Sequence, residues 1–312
     1  MSAPPHSSNL LIRYAPPPVL AGALAMLCWA MSMIVVRDVA GTVPPVALSF
    51  FRCLIALSLL WLMCHRSLRR QWPLMVRHWK LIATMGALLF IGGNGMLFVG
   101  LQFTTAINAG LINSAEPVAV VAVAWLMYRD RLTPRQWLGV AVSAAGVVYL
   151  IARGRLSVLV GFSLNIGDMF ILVSIVSWAF YAMTMRHVPL ELDRLNLLFG
   201  ILLAGAVMLF PIWVLENLYY APTRFGLPLV WATGFNAVFA SILAMFWWNH
   251  SLQKLGPGRA SLLVHLIPVY TVILAVWFLG EEFKLFHAIG IALIGVGIWL
   301  TTMQRGIQGG TH

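Results

Sequence analysis

Charge is what this chain has least of. Only 9% of its 312 residues are Asp, Glu, Lys or Arg, against roughly 25% in an ordinary soluble domain. The acids number nine, mostly single and scattered, and no HExxH spacing occurs. That argues against the clustered His and carboxylate constellation a membrane-face metalloenzyme or lipid-modifying transferase needs. No GxxxxGK[ST] loop is present, so direct use of ATP has no cradle for its phosphates. Cysteine is scarce as well. Cys28, Cys53 and Cys64 all fall in apolar segments, and an odd, buried set reads as small packing residues, not a disulfide framework. No metal, cofactor or enzymatic activity is expected. No cleavable leader is expected, since 1–18 reads as polar and proline-rich and the first apolar run opens at Val19.

What fills the chain is apolar. Hydrophobic residues make up 61%, and spans of roughly 20 residues are long enough to cross a bilayer. Ten are expected, at about 19–37, 45–64, 80–101, 105–128, 134–152, 165–185, 195–215, 228–250, 258–279 and 286–303. The net charge of +11 does not imply a nucleic-acid partner, because the basic residues lie mostly in short connections between spans. Fourteen fall on the side of the N-terminus and five, Arg37, Arg153, Arg155, Arg224 and Lys284, on the other. That bias places both termini in the cytoplasm. The tails are 1–18 and 304–312.

The two halves, 19–152 and 165–303, repeat each other. At an offset of 149, Trp29 falls on Trp178, Ala30 on Ala179 and Arg37 on Arg186. At an offset of 151, Ala109, Pro117, Val121, Gly139 and Gly146 fall on Ala260, Pro268, Val272, Gly290 and Gly297. Five spans per half is odd, so the second copy enters the membrane upside down. Inverted repeats are the mark of alternating-access transporters, with the site near the midplane where the repeats meet. The expected fold is therefore all-α and integral to the membrane, two inverted five-helix repeats around a central cavity.

Two segments carry a resemblance. LINSAEPVAVVAVAWLMYRDRLTPRQWLGVAVSAAGVVYLI and LGPGRASLLVHLIPVYTVILAVWFLGEEFKLFHAIGIALIGVGIWL look like the two repeat units of EamA-type proteins, the ten-helix branch of the drug/metabolite transporter superfamily. LSFFRCLIAL at 48–57 resembles that family's second helix. The resemblance implies a bacterial inner-membrane exporter with no bound cofactor. It does not choose a solute, since the family carries amino acids, nucleobases, sugars, cations and drugs. One departure is that the first copy ends Tyr128-Arg129-Asp130 where the second has Leu279-Gly280-Glu281.

The residues that could carry chemistry are few. Glu116 would sit about 11 residues inside the fourth span, ~16 Å down a helix rising 1.5 Å per residue. A carboxylate there costs several kcal/mol unless it lines a cavity or finds a partner, and Pro117 loosens the backbone beside it. Glu116 is thus the candidate for binding a proton and a cationic or amine-bearing solute in alternation. The duller reading is a structural carboxylate satisfied by neighbouring helices or by Arg52. Asn113, three residues earlier, is close enough to bond it.

Trp29 and Trp178 would face each other across the repeat. Ala25, Trp29 and Ser32 share one helix face, as do Ser174, Trp178 and Tyr181, and such walls suit a cationic or amphipathic solute. Tryptophan packed against lipid is the competing reading, with thirteen in the chain. Trp247, between Phe246 and Trp248, is a further cavity-lining candidate. His265, one turn from Ser261, titrates near neutrality and is a candidate for proton coupling. It is also readable as a water-facing pore residue. Gly92-Gly93-Asn94-Gly95 interrupts the third helix, either as a hinge that offers Asn94 to a solute or as a close packing surface. Arg52, about seven residues into the second helix, either snorkels to the interface or pairs with an acid; the resemblance implies a structural role.

The function expected is a secondary transporter of a small amino-acid-like, amine or drug-like solute, coupled to protons. The alternatives are an integral-membrane enzyme or a non-transporting structural membrane protein. The partners expected are that solute, protons and lipid, with monomer and homodimer both open.

Overall fold

The computed structural model describes residues 16–39, 41–101, 103–104, 109, 112–129, 133–154, 165–279 and 282–302. Among them there is no strand. The helices are α1 (Pro18–Asp38), α2 (Pro45–Arg77), α3 (Trp79–Gly100), α4 (Glu116–Tyr128), α5 (Pro134–Ile151), α6 (Ile166–Thr184), α7 (Arg194–Tyr219), α8 (Leu227–Leu255), α9 (Leu266–Leu279) and α10 (Leu285–Thr302). Seven helical stretches among the described residues are long and apolar enough to cross a membrane, and Glu116–Tyr128 and Leu285–Thr301 are shorter apolar helices. The starts follow local chemistry. Thr133 with Gln136, and Asn165 with Asp168, form reciprocal capping boxes, each satisfying orphan backbone donors of a first turn. Pro45 and Pro134 sit in first turns, where a missing N–H costs nothing.

Two expected boundaries are corrected. The second span does not stop at 64. Its helix bends at Cys64 (φ −133°, ψ 18°) and runs on to Arg77, because no Gly or Pro stands between Cys64 and Trp72 to end it. The fourth span is not one helix over 105–128. The chain turns at Ser114 and Ala115, and α4 begins at Glu116. Pro117 lacks the N–H that would bond the carbonyl of Asn113, and its ring clashes with that carbonyl. Residues 105–108, 110 and 111 lie outside the described residues.

The repeat is a two-fold in the packing. α1 packs on α8 and α9; its counterpart α6 packs on α3 and α4. α2 pairs with its own counterpart α7, and α5 with its counterpart α10, the most extensively packed helix pair among the described residues. At that seam a Cβ added at Gly139 would stand 2.7 Å from the carbonyl oxygen of Gly297, and one at Gly146 would stand 2.9 Å from that of Gly290. Gly139 therefore meets the sequence mate of Gly146, and Gly146 meets the mate of Gly139. That exchange is what a two-fold axis demands of a self-complementary interface. The crossing is antiparallel, so the axis is perpendicular to the helices. For spanning helices an axis so oriented lies in the membrane plane, and the repeats are inverted.

The third helix of each half is wound as a π-helix at the same place, Ala87–Gly95 in α3 and Ala237–Ala244 in α8. π-Segments inside α-helices are rare and concentrate at functional sites. The chain entering α9 is broken too: Pro257–Ala260 is a short helical turn, Ser261–His265 is a 3-10 stretch, and α9 follows. Shifted by 151, that break falls on the turn at Ser114 and Ala115.

Candidate functional site

The breaks in the fourth and ninth segments meet on the two-fold. His265 and Ser114 are sequence mates, and His265 Nε2 lies 3.1 Å from the carbonyl oxygen of Ser114. A carbonyl only accepts, so Nε2 carries the proton. The other ring nitrogen, Nδ1, lies 2.6 Å from Ser143 Oγ and, in the neutral ring, accepts from that hydroxyl. His265 is 2% exposed. It is held between the broken fourth segment and α5, at the centre of the α5–α10 seam. It is a fully bonded bridge, sealed from water.

Glu116 lies two residues past Ser114 and opens α4. Its side chain is half-buried, and among the described residues it has no hydrogen bond and no ion pair. Asn113 is half-buried across the turn and makes no bond to it. Ala119, the next turn of α4, packs against the apolar cluster of Ala109, Ile112, Ile171 and Ile175. α4, which the carboxylate opens, thus packs on α6, the helix that carries Trp178 and Tyr181.

That centre is contiguous. Trp29 touches Trp178 and Trp248 edge-on, each at 5.7 Å between ring centroids, and Trp178 touches Tyr181 at 5.8 Å. Trp29 and Trp178 close directly on each other, with no slot between the rings. Trp29 Nε1 donates to the carbonyl of Ala240 in the π-segment of α8 (3.3 Å), and Ser174 donates to the carbonyl of Gly93 in that of α3 (2.8 Å). A Cβ at Gly93 would stand 2.9 Å from Trp178 Nε1 and one at Gly92 would crowd Ser177, so both glycines are close-packing positions. Asn94 beside them is half-buried with no partner among the described residues, which leaves its amide available to a solute. Tyr181 is fully buried, and its hydroxyl donates to Asn249 Oδ1 at 2.9 Å. Ser32 of α1 donates to Asn236 Oδ1 of α8. Trp247 is half-buried against the core. Ser261 is buried and donates to the carbonyl of Gly258, turned into its own segment.

Sequence reasoning missed Asn236, Asn249 and the partnership of Ser143 with His265. The only signal for the asparagines was a polar amide inside an apolar 29-residue helix. Trp248 is 2% exposed and its Nε1 is buried with no partner, so it belongs to the centre, not to the lipid face. No three His, Cys, Asp or Glu side chains group to hold a metal among the described residues.

At one end of the bundle a cleft of about 1010 Å³ opens between the C-terminal part of α2, the α6–α7 connection and the α8–α9 connection. Arg66, Arg70, Arg186, Arg194 and Lys254 line it, against Glu191 and Asp193. Arg194 ties α7 to α8 there, donating to His250 Nδ1 (2.7 Å) and Gln253 Oε1 (3.0 Å).

Comparison with known proteins agrees with this architecture. Residues 17–152 and 165–303 each match the model of the EamA-like transporter family. An uncharacterized transporter of Archaeoglobus fulgidus is 29% identical over 285 residues, covering 91% of this chain and 96% of its own. The uncharacterized inner membrane transporter YedA of Escherichia coli (strain K12) is 26% identical over 290 residues, covering 92% and 91%. A solved crystal structure of another protein superposes with a TM-score of 0.72 at 21% identity, covering 91% of this chain and 96% of that one; at that identity it speaks for the fold. This is an integral membrane protein, and it belongs to the EamA-like transporter family.

Proposed function

We propose that the protein is a proton-coupled secondary transporter of a small amine-bearing solute, working by alternating access around the aromatic centre. The observation that carries this reading is Glu116, a partnerless carboxylate at a helix break, beside the meeting point of two inverted repeats. A charge held there at a cost of several kcal/mol is retained for a ligand. A proton and an ammonium group compete for one carboxylate, so binding of either releases the other, which is the minimum needed for exchange. The tryptophans of the aromatic centre would supply the electron-rich faces a cation prefers.

In this reading ten spans cross the bacterial inner membrane with both termini in the cytoplasm, which makes the basic cleft the cytoplasmic mouth. Asn94, Asn113, Trp247 and Ser261 are the further positions a solute would meet as the halves rock, and His265 holds the two broken segments together during the motion. The direction is export.

The test uses purified protein in liposomes with an imposed pH gradient and tyramine, phenylalaninamide and ethidium as probes. Gradient-driven accumulation of at least one probe is expected in the wild type. Glu116→Gln is expected to abolish that accumulation while leaving the melting temperature within a few degrees. Full gradient-driven transport by Glu116→Gln would remove Glu116 from the coupling step.

A further inference from the structure

The transport reading accounts for one interior charge. A second, of opposite sign, is left over. Arg52 lies on α2 seven residues past Pro45, about 10 Å along the helix at 1.5 Å per residue. Its side chain is half-buried, and its Nε is buried without a hydrogen-bond partner. The guanidinium carbon stands 6.0 Å from the centroid of the Phe90 ring in the π-segment of α3, and the thiol of Cys53, the next residue, interacts with it.

Four acids among the described residues are bonded or placed elsewhere. Glu216, the acid packed on the same helix, gives one oxygen to the N–H of Val46 (3.0 Å) and the other to that of Ala47 (2.8 Å). Asp168 accepts from Thr104 and closes the cap of α6. Asp193 caps α7 at the far end of the bundle, and Glu191 lies in the cleft there. Among the described residues Arg52 has no ion pair. A ring face and a thiol return only a small part of what an arginine costs inside a membrane. Full snorkelling does not account for it either, since the buried Nε shows the head has not left the protein.

We propose that Arg52 is an anion-binding subsite of the transport path and takes the carboxylate of the solute whose ammonium group Glu116 takes. The proposal rests on the transport reading. A guanidinium meets a carboxylate with two parallel hydrogen bonds. One interior arginine with no second interior cation beside it among the described residues matches a singly charged carboxylate better than a phosphate. The two interior charges sum to zero, which matches a zwitterion. An aromatic side chain on that zwitterion would meet Trp29, Trp178 and Tyr181. The arginines of the cleft lie on the same helix further along, at Arg66 and Arg70, and would concentrate the same negative end at the mouth.

The experiment compares matched probes on the full-length protein in detergent and in liposomes: each of the twenty amino acids, its carboxamide, which keeps the amine and loses the carboxylate, and 3-phenylpropionate, which keeps only the acid. Thermal stabilisation reads binding by mass action, and counterflow reads transport. For at least one amino acid the acid form is expected to bind the wild type at least tenfold more tightly than the amide. Arg52→Gln should erase that difference and leave amide binding in place, while Arg52→Lys should keep part of it. Glu116→Gln should do the reverse, sparing 3-phenylpropionate. Equal binding of every acid and its amide by the wild type overturns the proposal without using a variant that could misfold. So does a Gln variant that folds and keeps the preference, or the absence of any carboxylate effect. If amides are carried and acids are not, the transport reading stands and the Arg52 proposal falls. If no probe of any kind binds or moves, both fall.

Discussion

The two halves of this molecule share a backbone and differ in chemistry. α3 and α8 are both π-wound through their middles, yet one segment reads ALLFIGGNG and the other AVFASILA. Glycine is therefore not the cause of the winding; in α3 it lets α6 approach. The breaks before α4 and α9 also coincide, but one places Glu116 after it where the other has Ile267, and one has Ser114 where the other has His265. The difference teaches that the two-fold governs packing and motion, while the titratable groups are placed once each. Symmetry builds the frame and asymmetry builds the site.

The frame should be the easiest part to break. Gly297→Leu forces a side chain against Ser143 and the backbone of Gly139, where a Cβ alone would stand 2.5 and 2.6 Å away. Backbone cannot yield as a flexible side chain does, so a loss of about 3 kcal/mol or more is expected, seen as failed folding or a large drop in melting temperature. Gly295→Leu, two residues away with nothing within 4 Å, should stay within about 0.5 kcal/mol of wild type. If the two variants melt alike, the seam is not the frame. A smaller effect is expected from Ser143→Ala, which strips the hydroxyl from His265 Nδ1 and leaves a buried ring nitrogen unbonded. The cost should be about 1–2 kcal/mol, and Ser143→Thr, which keeps the hydroxyl, should recover part of it. The smallest concerns the ends of α4 and α9. Arg129 caps α4 at φ 59°, a left-handed conformation that strains a side chain. The other half has glycine at this place in its sequence, Gly280, which lies outside the described residues. Arg129→Gly removes the strain but also the stacking of the guanidinium over Trp125 at 4.7 Å. The two are each about 1 kcal/mol and opposed, so the melting temperature should hardly move, whereas Arg129→Val should lower it.

Much of the frame was legible because it is written in spacing. The offset of 151 that pairs Gly139 with Gly290 and Gly146 with Gly297 predicted which surfaces pack, and their crossing in the structure is the one an inverted repeat requires. The break at Pro117 was visible as a proline, but its consequence was misjudged: a proline one residue after Glu116 begins a helix there and does not merely weaken one. The centre was half legible. Trp29, Trp178 and Tyr181 stood out by size and repeat position. Asn249, which holds the Tyr181 hydroxyl, did not, because one amide in an apolar helix has no spacing to betray it. Ser143 lies between the seam glycines Gly139 and Gly146; that it bonds His265, 122 residues away, is a tertiary fact no periodicity encodes. Arg52 was legible as an anomaly, but only the structure reveals that Glu216, the acid packed on the same helix, is committed to the helix backbone.

The glycine seam between α5 and α10 carries one more consequence. A surface that fits its own inverted copy needs only one specification. Gly139 and Gly146 on one side, Gly290 and Gly297 on the other, spell the same instruction twice, and each copy completes the other only when it lies upside down. A gene encoding a single half would already hold everything needed to assemble the frame, provided its product could enter the bilayer in both orientations. Fusing two such halves fixes the orientation of each once and for all. That frees the copies to diverge, so that one half holds an acid at Glu116 and the other an imidazole at His265, which bonds Ser114 and Ser143 of the first half.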